Sequence, residues 1–376
     1  MESFILPEEN IKEKFSHILT QKYLKKPLNI EKIDIYVLPV SGGRFASQLG
    51  LLAELYKSKK TKYYPDLVLA SSGGNACAYL GLAADWSSKR IENLAYMLNS
   101  SMFISSWVPP PLNEMIPSWI YVFKSSLYNH GSGILELFKN IFTPKTISRT
   151  EIWTGSYDLN SNKTQFFCNK KETLLDINSF NQNAFLYGSM PLKTLDGDIE
   201  AIAKVCQASA AIPKVCPPVF IGDKKYCDGG ISYSSPLSAL SNEIYSLIYE
   251  NNLSLRLTYF CPYHMDSNIL RHEGIFIHLS SFLYNDILQD RREAINLIYK
   301  LVPKNKVRYL SYHHCDSKLL SEVLSLVEDK KHYILVIYPH GNIYVNLRNF
   351  SGKDIINVMR KTRENYGIHL WYSSKD

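Results

Sequence analysis

The turn at residues 71–74, in the sequence DLVLASSGGNACAYLGLA, constrains the fold most, because it joins two regular elements with almost no connecting chain. Residues 66–70, an aspartate followed by four apolar residues, are typical of a short buried strand, and residues 76–84 are rich in small residues, which favours a closely packed helix. A serine on such a turn has its hydroxyl in a cleft beside the N–H groups of a helix N-terminus. Ser72 is therefore a candidate nucleophile, and a plain helix N-cap is the alternative.

A second strand, glycine turn and helix precede this segment, at residues 33–55. A β-rich run over residues 35–40 leads into Gly42, Gly43 and Arg44, and an amphipathic helix follows. The N–H groups of this turn are candidate donors to an oxyanion, and Arg44 adds positive charge. A phosphate-binding loop fits less well, because neither Gly-Lys-Ser/Thr nor a spaced G-x-G-x-x-G is present.

A third segment, residues 208–237, contains an aspartate that is followed by two glycines. Two prolines and a Gly-Asp pair bound a short strand over residues 219–221, and a hairpin turn follows it. Asp228 comes next, and the bare backbone of its two glycines allows the carboxylate to face a cleft. The alternative is a plain turn of the kind that the sequence predicts at Asp196.

Taken together and in this order, the three segments resemble the patatin-like phospholipase family. SGGRFASQLGLLAEL resembles the family's glycine-rich oxyanion loop, DLVLASSGGNACAYLGLA its nucleophile turn, and ASAAIPKVCPPVFIGDKKYCDGG its segment running into Asp-Gly-Gly. The stretch EIWTGSYDL resembles the intervening strand, and the resemblance extends from Ile33 to about Cys261. The sequence departs from the family at the glycine turn, which has two glycines where three are usual, at Phe45 and at Ala70.

The resemblance implies an α/β fold of three layers, in which a central, mainly parallel or mixed sheet has helices on both faces. It implies cleavage of fatty-acyl esters in a phospholipid or lysophospholipid through Ser72 as nucleophile and Asp228 as general base, without a metal or organic cofactor. It also assigns the oxyanion hole to Gly42, Gly43, Arg44 and Gly73.

Two other functions are consistent with the sequence. Histidines follow Asp228 at His264, His272 and His278, so an α/β-hydrolase with a Ser–His–Asp triad is one alternative. The second alternative is a lipid-binding relative without catalytic activity, which the altered glycines suggest.

Charge and cysteine usage narrow the partners and the compartment. The formal net charge of +7 favours contact with an anionic membrane surface. The sequence has no basic run with interleaved aromatic residues, so nucleic acid is not predicted as a partner. No run of 18 apolar residues predicts a transmembrane helix, and the first residues do not resemble a secretory signal. Seven scattered cysteines without a C-x-x-C pair predict buried, reduced thiols. These features predict a cytoplasmic protein with peripheral membrane contact.

The order of elements divides the chain into three parts. A helical extension is expected over residues 1–32, a catalytic core over 33–265, and an α/β continuation of the same domain over 266–376. Within the core, residues 97–145 are rich in aromatic side chains and predict a helical cap or lid. Phe103, Trp107 and Trp119 are its candidate lipid contacts, and ordinary packing of a helical cap is the alternative.

The C-terminal part is predicted to resume the alternation of strands and helices. A helix is expected over residues 275–301 and a strand over 307–311, and the histidine-rich stretch 312–316 is interpreted as the start of the next helix rather than a metal site. The β-rich runs 333–338 and 343–347 are expected to pair as a hairpin. Ser351 is expected to cap a last helix over residues 354–364.

Overall fold

A computed structural model describes the chain over residues 31–59, 64–106, 128–131, 133–184, 189–213, 216–231, 237–263, 277–341, 343–346 and 349–374. Its strands are β1 (Lys32–Leu38), β2 (Leu67–Ser71), β3 (Ile104–Ser106), β4 (Tyr128–His130), β5 (Glu151–Asp158), β6 (Lys163–Cys168), β7 (Ser189–Thr194), β8 (Val219–Ile221), β9 (Lys224–Asp228), β10 (Ser254–Phe260), β11 (Val307–Cys315), β12 (Tyr333–Pro339) and β13 (Tyr366–Ser373).

The helices alternate with these strands along most of the described chain. They are α1 (Phe45–Ser58), α2 (Gly73–Ala83), α3 (Ser88–Met97), α4 (Ser100–Phe103), α5 (Gly133–Ile141), α6 (Pro144–Ile147), α7 (Ile177–Asn183), α8 (Ile199–Ser209), α9 (Leu237–Glu250), α10 (Ile277–Leu301), α11 (Ser317–Val327) and α12 (Gly352–Glu364). Short 3₁₀ turns lie at Gly42–Arg44, Gly229–Ile231 and Lys304–Lys306.

An eleven-stranded sheet forms the centre of the described chain. Its order is β11-β13-β12-β10-β1-β2-β5-β6-β7, with β9 attached to β5 and β8 attached to β9. The strands from β12 through β5 are mutually parallel. Antiparallel pairs occur towards both edges, at β11–β13–β12 and at β6–β5–β9. The sheet is therefore mixed with a parallel centre, as the sequence predicted.

Helices cover both faces of this sheet. The helix α1 packs against α3, α11 and α12 on one face, where Ile152 of β5 joins the main apolar core. The adjacent residue Trp153 points to the other face, because side chains alternate along a strand, and it packs edge-on against Phe180 of α7. On that second face α9 contacts both α7 and α10. The three-layer α/β fold predicted from the sequence is confirmed.

The register of three neighbouring strands brings distant residues to one edge of the sheet. In the parallel pair β2–β5, Ser71 lies opposite Gly155. The next residue of β5, Ser156, lies opposite Asp228 in the antiparallel pair β5–β9. Ser72 and Asp228 therefore lie beside each other, one residue beyond Ser71 and at the end of β9. This edge is the carboxyl end of the parallel strands, where α/β sheets commonly place their ligands.

Most predicted C-terminal elements are confirmed. The helix α10, the capping of α12 by Ser351 and the strand β11 agree with the sequence, although β11 continues through the histidine-rich stretch and Asp316 caps α11. The predicted hairpin of residues 333–338 with 343–347 is wrong. Both edges of β12 are occupied, by β10 and β13, so it has no free edge for another strand. Residues 343–346 form no strand.

The remaining predictions concern the N-terminal helix, the aromatic-rich segment, the cysteines and the absence of a transmembrane helix. The predicted helix within residues 1–32 and the aromatic residues Trp107 and Trp119 lie outside the described residues. The described parts of 97–145 include the small antiparallel pair β3–β4 as well as helices. All seven cysteines are buried and free, as expected. No helix within the described ranges has the length and apolar composition needed to cross a bilayer. The division into three parts stays a prediction.

Candidate active site

Ser72 occupies the turn between β2 and α2 in a conformation that residues other than glycine rarely adopt. Its φ is +53° and its ψ is −129°. Such a conformation costs on the order of 1–3 kcal/mol and persists only where the surroundings enforce it. The Ser72 N–H donates to the Ser209 hydroxyl at 2.9 Å, and that hydroxyl donates to the Gly155 carbonyl oxygen at 2.7 Å. These two buried hydrogen bonds tie the turn to α8 and β5.

The Ser72 hydroxyl and the Asp228 carboxylate form a direct hydrogen bond. Ser72 Oγ donates to Asp228 Oδ2 at 2.7 Å, and the two residues are 3% and 4% exposed. The other carboxylate oxygen, Oδ1, accepts from the Gly230 N–H at 2.7 Å. The Asp228 N–H donates to the Ala211 carbonyl oxygen at 3.0 Å. The carboxylate is therefore held from its backbone and from both oxygens, with Oδ2 facing the serine.

Burial makes the Asp228 carboxyl a stronger base than an ordinary aspartate. Loss of hydration raises its pKa to about 6, because a buried carboxyl disfavours its charged form. The hydrogen bonds from Gly230 and Ser72 act in the opposite direction and keep the rise smaller. At neutral pH the group is still mainly ionised, and its proton affinity is close to the range in which a general base works best.

Glycines allow the nucleophile turn and the glycine turn to touch. A Cβ at Gly73 would lie 2.5 Å from Ser41 Oγ and 2.9 Å from the Gly42 carbonyl oxygen. A Cβ at Gly74 would lie 2.0 Å from the Leu38 carbonyl oxygen, at the end of β1. Real Cβ atoms do not approach other atoms so closely, so any side chain at either position would push α2 away from β1 and the glycine turn.

The glycine turn is a short 3₁₀ helix that runs directly into α1. Gly42 has a φ of +50°, in the left-handed region that favours glycine. The Arg44 N–H donates to the Ser41 carbonyl oxygen at 2.9 Å, which closes the turn. The first N–H groups of a helical turn have no acceptor within it. Those of Gly42 and Gly43 are thus at a helical N-terminus, next to Gly73 and the nucleophile turn.

Residues from the C-terminal part of the chain brace this turn. The Val345 N–H donates to the Gly43 carbonyl oxygen at 3.1 Å, and the Ser47 hydroxyl of α1 donates to the Ile343 carbonyl oxygen at 2.7 Å. The Arg44 guanidinium lies 4.4 Å from the ring centre of Tyr263 and 5.7 Å from that of Tyr344. We call residues 343–346 the brace. The brace is hydrogen-bonded to the glycine turn at Gly43 and to the first turn of α1 at Ser47.

The structure brings together six of the residues that the sequence singled out. They are Ser72, Asp228, Gly42, Gly43, Arg44 and Gly73. Phe103 is half-buried, with its ring 6.1 Å from that of Phe45 and 6.0 Å from that of Phe350. Trp107, Trp119, His264 and His272 lie outside the described residues, and for His278 the structure describes only its place in α10, without its side chain. Asp196 belongs to a left-handed exposed turn, as expected.

Several residues of the site have roles that the sequence did not reveal. Ser209 lies inside the Ala-Ser-x-Ala-Ile-Pro phrase that carried the resemblance, so the phrase itself was the available signal. Tyr263, Tyr344 and Val345 carry no local signal, because their contacts with the glycine turn join parts of the chain that are far apart in sequence. Ser41 precedes the two glycines of the turn, and the sequence pattern gives its side chain no separate role.

Comparison with known proteins identifies the family. A family model for patatin-like phospholipase matches residues 41–241, which is more than half of the chain and includes Ser72, Asp228 and the glycine turn. The chain belongs to the patatin-like phospholipase family. The crystal structure of VipD from Legionella pneumophila is similar to it, with 11% sequence identity and a TM-score of 0.35, over 94% of this chain and 71% of that chain. No curated protein matches the sequence. Family membership supports lipid acyl hydrolysis as the activity.

Proposed function

We propose that this protein hydrolyses fatty-acyl esters of phospholipids or lysophospholipids through a Ser72–Asp228 dyad and an acyl-serine intermediate. The observation that carries the proposal is the 2.7 Å hydrogen bond from Ser72 Oγ to Asp228 Oδ2 in a buried setting. A hydroxyl that already donates to a carboxylate of raised pKa has its proton acceptor in place before substrate arrives.

The first half of the reaction makes the acyl-enzyme. Ser72 Oγ forms a bond to the ester carbonyl carbon while its proton passes to Asp228 Oδ2, and the carbonyl oxygen becomes an oxyanion. The N–H groups of Gly42, Gly43 and Gly73 stabilise this charge, with Arg44 adding positive charge nearby. The intermediate then collapses, the bond to the leaving alcohol breaks, and Asp228 returns the proton to that alcohol.

The second half releases the fatty acid and restores the enzyme. A water molecule attacks the acyl carbon while Asp228 takes one of its protons, and the same oxyanion forms again. Collapse of this intermediate breaks the bond between Ser72 Oγ and the acyl carbon. The proton on Asp228 goes back to Ser72 Oγ, and the fatty acid leaves with the oxygen of the water.

A fluorophosphonate probe tests the nucleophile, since it labels only an activated serine. We expect the wild-type protein to be labelled and Ser72→Ala to lose both labelling and ester hydrolysis while it melts normally. Ser71→Ala is the matched control: its hydroxyl is equally buried and one residue away, yet it makes no hydrogen bond within the described chain, so most activity should remain. Hydrolysis by Ser72→Ala, or absence of labelling in the wild type, would contradict the proposal.

The triad alternative has its own test. In a Ser–His–Asp triad a histidine stands between the serine and the carboxylate, whereas here Ser72 donates directly to Asp228. Replacement of His264, His272 and His278 by alanine, one at a time, should leave hydrolysis intact. Loss of both activity and probe labelling in any one of these variants, with normal melting, would favour the triad instead.

A further inference from the structure

The Ser41 hydroxyl is buried without a hydrogen-bond partner. Ser41 is 2% exposed, and its Oγ makes no hydrogen bond within the described part of the chain. Ser41 also occupies the N-cap position of the Gly42–Arg44 turn, where a serine side chain commonly accepts a hydrogen bond from the backbone, and here it does not. A buried polar group without a partner destabilises the free protein, so its retention needs a reason.

The Ser41 hydroxyl lies beside the nucleophile turn. A Cβ built at Gly73 would lie 2.5 Å from Ser41 Oγ, so the hydroxyl lies against the α-carbon of the residue that follows Ser72. The Gly42 carbonyl oxygen is next to the same α-carbon. The hydroxyl therefore lies between the two backbone segments whose N–H groups are the proposed oxyanion donors.

The chemistry of a hydroxyl suits a charge that forms only during reaction. A serine O–H rotates freely and is a good donor, so it can turn towards an oxygen that becomes negative when Ser72 attacks. A donor that lacks a partner in the resting enzyme gives up no hydrogen bond in doing so. Such preorganised donors stabilise the transition state more than the ground state, which is the requirement for acceleration.

We propose that the Ser41 hydroxyl is a catalytic residue that donates a hydrogen bond to the oxyanion of the acyl ester, alongside the backbone donors of the glycine turn and Gly73. The proposal rests on the proposed function, because the oxyanion arises from attack by Ser72. It goes beyond that function by adding a side-chain donor to a hole otherwise built from backbone and the charge of Arg44.

The test compares Ser41→Ala with wild type in hydrolysis of a soluble short-chain ester. We expect kcat to fall about 10²-fold with KM nearly unchanged, which is typical for loss of one oxyanion donor. Labelling by the fluorophosphonate should slow in parallel, because phosphonylation also develops negative charge on an oxygen. The melting temperature should stay the same or rise, because the variant removes a buried hydroxyl that lacks a partner.

Two further variants separate donation from packing. Ser58→Ala is the matched control, since Ser58 is also buried without a partner but lies at the far end of α1, and its kcat should equal that of wild type. Ser41→Cys keeps the size of the side chain and replaces a strong donor with a weak one. If donation matters, kcat of Ser41→Cys should fall nearly as far as that of Ser41→Ala. If Ser41→Ala is slow only because of a packing defect, the sulfur should fill the space and restore kcat.

The outcomes are distinguishable from failure of the proposed function. If Ser72→Ala is inactive and Ser41→Ala keeps kcat within about twofold of wild type, the hydroxyl has no catalytic role and only this proposal falls. A marked fall in melting temperature of Ser41→Ala, or full activity of Ser41→Cys, would make Ser41 a structural residue. If Ser72→Ala remains active, the proposed function itself fails.

Discussion

At the scale of single residues, the site combines two arrangements that each cost stability. Ser72 is held at a φ of +53°, and Asp228 is a carboxylate that is almost completely buried. Two hydrogen bonds keep them in place: the Ser72 N–H donates to the Ser209 hydroxyl, and the Gly230 N–H donates to the Asp228 carboxylate. In the proposed mechanism the first arrangement presents the nucleophile, and the second supplies a base of suitable strength.

The raised pKa of Asp228 predicts how activity depends on pH. The carboxylate must be ionised to accept the serine proton, and burial raises its pKa to about 6. We expect kcat/KM on a soluble ester to rise with pH and to level off above a midpoint near pH 6. An activity that stays constant between pH 4.5 and 8 would argue against Asp228 as the base.

The raised pKa of Asp228 also makes the stability of the folded protein depend on pH. The Asp228 carboxyl has a higher pKa in the folded protein than in the unfolded chain. The free energy of unfolding therefore falls as pH rises from about 4 to about 6, where the unfolded chain has already lost this proton and the folded protein has not. Asp228→Asn removes that charge and keeps the shape. We expect its melting temperature to match wild type at pH 4 and to equal or exceed it at pH 8, while turnover falls by about 10² or more. Unfolding of this variant would show that the carboxylate is structural.

Ser72 and Asp228 were predictable because each lies in a short phrase with a local physical meaning, a strand–turn–helix and an Asp-Gly-Gly. Their pairing was not predictable from spacing, since 156 residues separate them. The supporting contacts of Ser209 and Ser41 depend on which backbone atoms meet in the folded chain. Local sequence patterns do not contain that information.

At the scale of elements, the closeness of α2 to β1 depends on Gly74. A Cβ there would lie 2.0 Å from one backbone carbonyl oxygen and 2.5 Å from the next, those of Leu38 and Pro39. Gly74→Ala should lower the melting temperature by an amount equivalent to about 1–3 kcal/mol or more, and it should abolish turnover because the nucleophile turn moves.

The control for Gly74→Ala is Gly222→Ala, in the turn between β8 and β9. Gly222 has a φ of +64°, and a Cβ there would meet nothing within 4 Å. Its replacement should cost only about 1 kcal/mol through backbone strain and leave turnover unchanged. If Gly74→Ala matched Gly222→Ala in both measurements, the close approach of α2 to β1 would not matter for the site.

The long alternation of strands and helices was predicted correctly, whereas the pairing of one short strand-like segment was not. The alternation of strands and helices was sufficient to predict a parallel centre. Residues 343–347 have the composition of a strand, but β12 already has two partners, so 343–346 became the brace instead. A sequence pattern predicts that a segment is suited to a sheet, and it does not show whether an edge is available.

At the scale of the whole molecule, the net charge of +7 predicts how the protein meets its substrate surface. Charges on a protein surface are screened within about 8 Å at physiological ionic strength and more strongly above it. We expect hydrolysis of lipids in anionic vesicles to fall as salt is raised to about 0.5 M, because counter-ions weaken attraction to the surface.

Two substrates serve as controls for the salt experiment. Hydrolysis of lipids in neutral vesicles and of a soluble short-chain ester should change little over the same range of salt. An equal fall on all three substrates would point to an effect of salt on the active site or on stability, and a constant rate on anionic vesicles would contradict electrostatic attraction.

The brace has a consequence for how the protein is made. The strand β1 is synthesised long before its partner β10, and the Gly43 carbonyl oxygen accepts a hydrogen bond from Val345, which is synthesised later still. Until Val345 has been synthesised, the glycine turn of a nascent chain lacks that hydrogen bond. Contacts between such distant positions close late and slowly in folding. Synthesis must therefore reach Val345 before the glycine turn can gain the hydrogen bond that fixes it beside Ser72.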